Sequence, residues 1–190
     1  ERLAALPGVQ TVSLTSLPPF FGVTLGRVLP EGSGPEGSER QAEAHFNAVS
    51  PDYFATLGLP LLQGRVFDEQ EVKTQMPVAL INAEFAEQYW PGQSAIGKHF
   101  STEFPDNAPT YQVIGVVKTV RSMRLRQMDG PYFYTPIRPI EQLGLHLLLQ
   151  VQNAPQTLIN PVREAVRQLD PQVHVAARTL TEGLREELFL

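Results

Sequence analysis

Two predicted strands within residues 41–67 are joined by a very short helix. In the first strand, apolar and polar side chains alternate strictly. The apolar ones are Ala42, Ala44, Phe46 and Ala48, and the polar ones are Gln41, Glu43, His45 and Asn47. Ser50 then suits a helix N-cap, Pro51 suits the first helical position, and Gly58 suits the residue that closes the helix. Residues 61–67 return as a strand, so the segment predicts a strand–helix–strand unit.

The rest of the chain continues this mixture of strands and helices. Further strands are predicted at 9–15, 77–81, 111–118, 132–137 and 145–151, and one more begins at 173–175. Asn82 caps a predicted helix, and residues 158–169 form an amphipathic helix in which Pro161 is tolerated only if the helix begins near Thr157. Residues 26–38, rich in glycine, proline and serine, predict a mobile loop.

The composition excludes several classes of protein and of site. The 190 residues include 14 glycines and 17 prolines, which predicts many turns and interrupted elements. A net charge of −5 argues against nucleic-acid binding, because such binding depends on neutralising phosphates. Without cysteine, the chain cannot form disulfides, thiolate nucleophiles, iron–sulfur clusters or cysteine-based zinc sites.

Both ends of the sequence interrupt a helical pattern. Residues 1–6 begin without Met inside one such pattern, and residues 188–190 stop in the middle of another. No apolar stretch approaches the ~18 residues of a membrane span, and no secretory signal is present. We therefore expect a soluble piece of a longer protein.

Two similar segments suggest a discontinuous domain with an insertion. Residues 2–9 and 166–173 both lead from a helix through a proline turn into a strand. If these two α/β units share one sheet, residues 1–69 and 130–190 form one subdomain. Residues 70–129 then form a β-rich subdomain inserted in it.

One segment imitates a nucleotide-binding motif. Residues 92–99 match G-x-x-x-x-G-K, the phosphate-binding loop, but His99 stands where Ser or Thr would hold Mg²⁺. A true phosphate loop follows a strand and opens a helix, whereas this segment follows a predicted helix and precedes an extended stretch. Ser94 also fails as a hydrolase nucleophile, because Ile96 occupies the position of the second glycine in the G-x-S-x-G elbow. The segment therefore favours a glycine-bearing turn.

The ionisable side chains show no catalytic pattern. The four histidines, His45, His99, His146 and His174, lack the spacing of helical metal ligands. Three of these four are predicted on exposed faces of strands. Three acidic residues follow a strand and predict a solvated loop: Asp68, Glu69 and Glu71. No catalytic, cofactor-binding or metal-binding residue is predicted, although a metal site assembled on folding stays an alternative.

A basic stretch lies later in the chain. It contains four cations within nine residues: Lys118, Arg121, Arg124 and Arg126. Such a stretch could meet lipid headgroups or an acidic partner, but a solvated loop is the favoured interpretation.

Three phrases, in this order and spacing, carry a family resemblance. The first is NAVSPDYFATLG at 47–58 with LQGRVF at 62–67. The second runs from VALIN at 78–82 through WPG at 90–92 to IGK at 96–98, and the third from VIGVVK at 113–118 to PYFYTP at 131–136. Together they resemble the MacB-like periplasmic core domain of ABC-transporter permeases, within the wider FtsX/LolC group.

The resemblance implies an α+β fold with a porter-like α/β subdomain, residues 1–69 and 130–190, and an inserted β-rich, sabre-like subdomain, residues 70–129. It also implies an extracytoplasmic domain on the periplasmic face of the bacterial inner membrane, anchored by transmembrane helices outside this chain. A separate cytoplasmic ATP-binding subunit would hydrolyse the ATP, so no catalytic residue and no cofactor carry over. The domain would couple motion of its membrane helices to substrate export or partner control.

The partners that the resemblance implies are the chain's own transmembrane helices, the cytoplasmic ATP-binding subunit, and a periplasmic adaptor or second permease copy. Nucleic acid is not among them. The alternative function is a soluble extracytoplasmic ligand-binding or sensor domain. That alternative predicts a concave, mostly apolar pocket with a few converging polar groups.

Overall fold

Nine strands form one mixed sheet in the computed structural model, which describes residues 2–22, 24–32, 42–102, 109–123, 127–138, 144–152, 154–170, 172 and 175–188. The strands are β1 (Val9–Thr15), β2 (Leu25–Pro30), β3 (Glu43–Val49), β4 (Leu61–Gly64), β5 (Val78–Asn82), β6 (His99–Thr102), β7 (Tyr111–Val117), β8 (Tyr132–Pro136) and β9 (His146–Val151). The helices are α1 (Tyr53–Thr56), α2 (Glu69–Lys73), α3 (Ala83–Tyr89), α4 (Ile159–Arg167) and α5 (Leu180–Leu188), with a 3-10 helix, Pro155–Leu158, before α4. Strands therefore dominate a mixed α/β fold.

The sheet curls until it closes on itself. Its order is β2-β6-β7-β5-β8-β3-β1-β9, and β2 pairs with β3 as well as with β6. Six strands, from β2 round to β3, thus form a closed ring of pairings, in which β3–β8 and β5–β7 are parallel. β1 and β9 leave this ring as an antiparallel two-stranded ribbon. β4 pairs with β7 outside the main strand order.

The central strands of the ring are buried on both faces. Within β5, Ala79 and Ile81 belong to an inner cluster that includes Phe85 of α3, whereas Val78 and Leu80 belong to an outer cluster that includes α1. β7 and β8 alternate between the two clusters in the same way. Burial on both faces explains why these strands read as continuous apolar runs.

Residues 26–30 are part of β2, so the predicted mobile loop is wrong over this stretch. Burial alternates along this strand, with Leu25 and Leu29 exposed and Val28 fully buried in the inner cluster, but the glycines and prolines around it conceal that pattern in the sequence. β2 is needed to close the ring, and its Gly26 lies beside the Phe46 ring. Residues 33–38 lie outside the described residues.

Burial along the ribbon does not simply follow the apolar character of its side chains. In β1 the buried side chains are Ser13 and Thr15, while Val12 and Leu14 are half-buried. In β9 Leu148 is buried and Leu147 is exposed. The Thr15 hydroxyl hydrogen-bonds inside the fold, whereas the Ser13 hydroxyl has no partner among the described residues.

The helical predictions near the ends are partly revised. The 3-10 helix Pro155–Leu158 carries the chain into α4, so Pro161 lies in the first turn, where its missing N–H is tolerated. Residues 2–6 form turns, with the Ala5 N–H donating to the Arg2 carbonyl. Residues 175–179 form no strand, and residues 173 and 174 lie outside the described part. No helix in the described residues is long and apolar enough to cross a membrane.

The predicted subdomain boundaries cut through a continuous sheet. β3 and β8, which belong to residues 1–69 and 130–190, pair in parallel. β4 also pairs with β7, and β5 with β8, across the predicted boundary to residues 70–129. The division into two subdomains stays a prediction.

Candidate functional site

A buried polar cluster fastens the ribbon to the ring where β1 ends. Asn47 of β3, 1% exposed, accepts at Oδ1 from the Leu17 N–H at 3.1 Å and the Ser16 hydroxyl at 2.8 Å. The Thr15 Oγ1 lies 3.0 Å from the same oxygen. The Asn47 Nδ2 group donates to the Leu17 carbonyl at 2.7 Å. One side-chain amide therefore holds the turn at the end of β1.

Ser50 completes this cluster from the other side of β1. Its Oγ accepts from the Leu14 N–H at 2.9 Å, and its own N–H donates to the Leu14 carbonyl at 2.9 Å. The predicted capping role of Ser50 is wrong, since the N-cap of α1 is Asp52, which makes no side-chain capping bond. Gly58 does follow α1 with φ +62°, in the expected left-handed conformation. We call residues 14–17, Asn47 and Ser50 the polar joint.

Three buried tyrosines lie next to the polar joint. The Tyr132 and Tyr134 rings stack at 4.8 Å, and the Tyr53 ring lies 5.9 Å from that of Tyr134. Burial is the main cause that raises the pKa of all three phenols above the ordinary value of 10. They therefore stay neutral at physiological pH. This region is built to hold strands together, and it offers no general base.

Sequence reasoning placed Asn47 on the solvent side of its strand and so missed the joint. The strict alternation at 41–49 does not hold in the structure. Ala44 is buried as expected, but the next buried residues are Asn47 and Val49 rather than Phe46 and Ala48. One signal was available: asparagine is depleted in strands, so an asparagine inside a regular strand needs a special partner.

The segment that imitates a phosphate loop is a turn between α3 and β6. Gly92 and Gly97 both have positive φ, at +68° and +84°. The Gly97 N–H donates to the Val113 carbonyl at 2.8 Å, so this amide is committed to the sheet and is not free for a phosphate. His99 begins β6, where its N–H donates to the Glu31 carboxylate at 2.9 Å. The predicted turn is confirmed.

The acidic cluster is a helix start and not a solvated loop. Asp68 caps α2 by accepting from the Glu71 N–H at 2.8 Å, and Glu71 accepts in return from the Asp68 N–H at 2.9 Å. The Arg65 guanidinium donates to both Glu71 carboxylate oxygens at 2.7 Å. Because Asp68 and Glu71 both have structural partners and Glu69 is exposed, the cluster shows no acid–base pair of the catalytic type.

Glu71→Gln should lower the free energy of unfolding by about 1 kcal/mol at pH 7. The effect is no larger because the Arg65 side chain is exposed and solvent screens the ion pair. The Arg65 guanidinium holds the pKa of the Glu71 carboxyl below its ordinary value. A depressed folded-state pKa stabilises above the unfolded value of about 4.3, and the effect is lost as the pH falls through the folded pKa. Urea denaturation at pH 7 and pH 3 measures it.

The exposed neighbour Glu69 provides the control for this experiment. Glu69→Gln should change the unfolding free energy by less than about 0.5 kcal/mol. An equal loss for Glu71→Gln at both pH values would contradict the ion pair as its cause.

The histidines do not converge on one site. His146 is exposed as predicted, and His99 is exposed as well, whereas His45, which was predicted to be exposed, is half-buried with its ring 6.1 Å from that of Tyr132. His174 lies outside the described residues. Across the described ranges, no group of three or more His, Asp or Glu side chains could hold a metal ion.

The basic stretch is described only in part. Lys118 and Arg121 are exposed, while Arg124 and Arg126 fall outside the described residues. The loop is fixed by Asp129, 3% exposed, whose carboxylate accepts from the N–H groups of Ser122 and Met123 at 2.9 and 3.1 Å. A binding role for this stretch stays a prediction.

A shallow, open depression of about 520 Å³ lies beside α2. It is lined by Asp68, Gln70, Glu71, Thr74, Gln75, Met76 and Pro77. Asp68 and Glu71 are already committed to the helix cap and to Arg65. This depression lacks the enclosed apolar walls and free converging groups that a ligand-binding domain would use.

A family model identifies the family of this chain, and two solved structures share its fold. A family model described as the MacB-like periplasmic core domain matches residues 5–169. No curated protein sequence matches. The periplasmic region of MacB from Actinobacillus actinomycetemcomitans superposes with a TM-score of 0.61 at 18% identity, covering 88% of this chain and 70% of that one.

A second solved structure has the same fold. The extracellular domain of the ABC-type transporter YknZ from Gram-positive bacteria superposes with a TM-score of 0.59 at 18% identity, covering 89% of this chain and 79% of that one. The structural likeness establishes the fold, and the family model extends over most of the sequence. The chain belongs to the family of MacB-like periplasmic core domains of ABC-transporter permeases.

Proposed function

We propose that this domain couples motion of its permease's transmembrane helices to substrate export or to control of a partner outside the membrane. As a member of its family, the chain is an extracytoplasmic domain of an ABC-transporter permease. The observation that carries the finer proposal is the match over residues 5–169, which includes the ribbon, the ring and α4. A separate cytoplasmic subunit supplies the ATP hydrolysis.

The proposed domain works without catalysis of its own. The phosphate-loop-like turn uses its Gly97 amide in the sheet, and the Glu71 carboxylate is held by Arg65. The buried tyrosines beside Asn47 are neutral phenols. These groups support a mechanical role, because each of them makes contacts that hold the fold together.

Two parts of the domain are proposed to have different roles. Residues 1–69 and 130–190 form the porter-like part, which the parallel pairing of β3 with β8 supports. Residues 70–129 form the inserted β-rich part, which supplies α3 and the strands β5, β6 and β7. A periplasmic adaptor or a second permease copy would meet the domain away from the membrane anchors.

The location of the domain can be tested with a single thiol, because the chain contains no cysteine. We expect Gln93→Cys, at an exposed position, to react with a membrane-impermeant maleimide in intact cells that make the full permease. Ala79→Cys, fully buried in β5, is the matched control and should react only after denaturation. Reaction of the thiol at position 93 only after cell lysis would place the domain in the cytoplasm and overturn the proposal.

The coupling can be tested with the same variant. A donor dye on the position-93 thiol and acceptor dyes on lipid headgroups would report the distance between the domain and the bilayer in proteoliposomes. We expect ATP to change the energy transfer when the ATP-binding subunit is present and active. Unchanged transfer with an active subunit would contradict coupling by movement of the domain.

A further inference from the structure

We propose that the β1–β9 ribbon is a stiff arm that tilts against the ring about the polar joint. This inference rests on the proposed function, because the arm would be the part that receives motion. It concerns how one pair of strands is attached, and four observations support it.

The ribbon is continuous along its own length. β1 pairs with β9 from Val9 opposite Val151 to Thr15 opposite His146, with one irregularity between Val9 and Thr11. The Gln152 N–H donates to the Gly8 carbonyl at 2.9 Å and extends the ladder by one step. Seven strand residues at about 3.3 Å each make an arm about 20 Å long.

Within the described ranges, the backbone hydrogen bonds between the ribbon and the ring lie at one end of the ribbon. Among the described residues, the only register pair between β1 and the ring joins Thr15 to Val49. β9 pairs with β1 alone in the described part of the sheet. The polar joint adds the Asn47 and Ser50 bonds at this same end. An element that is fixed at one end and free of ladder bonds at the other can rotate about the fixed end.

We call the place where the ribbon packs on α1 the seat; there Leu148 joins the outer cluster, and one buried polar group lacks a partner among the described residues. Ser13 and Leu148 are register partners, and both are buried on the side of α1. The Ser13 Oγ is 2% exposed and has no hydrogen-bond partner among the described residues. A buried hydroxyl without a partner is unfavourable, and tilting would let water reach it. The polar groups of Asn47, in contrast, are all satisfied.

The free end of the arm meets the elements nearest the beginning of the chain and α4. Leu158, at the end of the 3-10 helix, lies beside Gly8. The Val9 N–H donates to the Leu6 carbonyl at 3.1 Å. A displacement of residues 2–8 or of α4 would therefore act on the arm at its greatest distance from the joint.

Thiol reactivity of the seat tests the arm directly. We expect Leu148→Cys, which keeps the Ser13 hydroxyl, to react with a small maleimide at least tenfold faster than Ala79→Cys, while hydrogen exchange shows the β1–β9 amides still protected. Equal rates for the two thiols would mean that the seat does not open and would overturn the proposal. Fast reaction together with equally fast exchange of the β1–β9 amides would overturn it too, because the ribbon would then be fraying.

Variants of the joint and the seat should act in opposite directions on a thiol at Leu148→Cys. Asn47→Ala should speed its reaction about tenfold by loosening the joint, and Ser50→Ala should act in the same direction if Asn47→Ala does not fold. Ser13→Ala should slow the reaction by removing the unpartnered hydroxyl. Thr11→Ala, at an exposed hydroxyl of the same ribbon, is the control and should leave the rate unchanged.

The two proposals fail separately. If these substitutions do not change the reaction rate of the Leu148→Cys thiol, the proposal of a tilting arm is wrong. The labelling of Gln93→Cys from outside the cell and its response to ATP would be unaffected. If ATP does not move the domain, the coupling is wrong, even where the seat opens in the isolated chain.

Discussion

Gly64→Ala is expected to lower the free energy of unfolding by about 4 kcal/mol, which removes most of the stability of a typical domain. Gly64 has φ +73° and lies opposite Gly115 in the β4–β7 ladder. A Cβ atom at Gly64 would lie 2.1 Å from the Ile114 carbonyl oxygen and 3.0 Å from the Gly115 Cα. Both are backbone atoms of a central strand, so neither can move aside without disturbing the sheet.

Gly92→Ala separates steric overlap from backbone strain in this experiment. Gly92 has a similar φ of +68°, but no atom lies within 4 Å of the position that its Cβ would take. The substitution should therefore cost only the left-handed conformation, about 1 kcal/mol. Urea denaturation of both variants measures the difference, and equal losses would mean that the contact with Ile114 is not the cause.

Phe85→Ala should lower the free energy of unfolding by about 4 kcal/mol through loss of buried surface and a cavity. Phe85 is fully buried at the centre of the inner cluster. Its ring lies within 4.7 to 6.3 Å of four other aromatic rings, those of Tyr89, Trp90, Phe100 and Phe133. The ring therefore joins α3 to strands on opposite sides of the enclosed space, and the site cannot collapse easily.

The control for the aromatic cluster is Leu62→Ala in β4. Leu62 is 53% exposed, so its truncation should change the unfolding free energy by less than about 0.5 kcal/mol. The midpoint of urea unfolding should fall for Phe85→Ala at an unchanged slope. A loss below 1 kcal/mol for Phe85→Ala would show that the enclosed face of the sheet does not depend on this ring.

The strands with a strong periodic or apolar pattern could be predicted from the sequence. The prediction at 9–15 matches β1, and those at 77–81, 111–118 and 132–137 match β5, β7 and β8 within one residue at each end. These strands are buried on both faces or paired over their length, so their side-chain types follow directly from their environment. The Asn82 cap was also predictable, because its Oδ1 accepts from the Phe85 N–H as a capping asparagine should.

The features that depend on distant partners could not be predicted. The glycines and prolines of β2 predict a loop, and the segment becomes a strand only because it pairs with β3 on one edge and β6 on the other. Asn47 is predicted to face solvent from the sequence alone, because its hydrogen-bond partners lie in the turn after β1, far away in the sequence. The helix start at Asp68 is different, because the Asp-x-x-Glu spacing of its capping box was present in the sequence and was taken for a solvated loop.

The closed ring has a consequence for the order in which the chain can acquire its structure. The stretch 25–30 finds its second neighbour only at 99–102, and 43–49, which pairs with 25–30 earlier in the chain, finds its parallel neighbour only at 132–136. Such distant pairings carry a large loop-closure entropy and make folding slow. During synthesis the early strands therefore remain without some of their pairing partners, and their apolar edges stay unpaired, until most of the chain has been synthesised. A domain built this way completes its folding late and all at once.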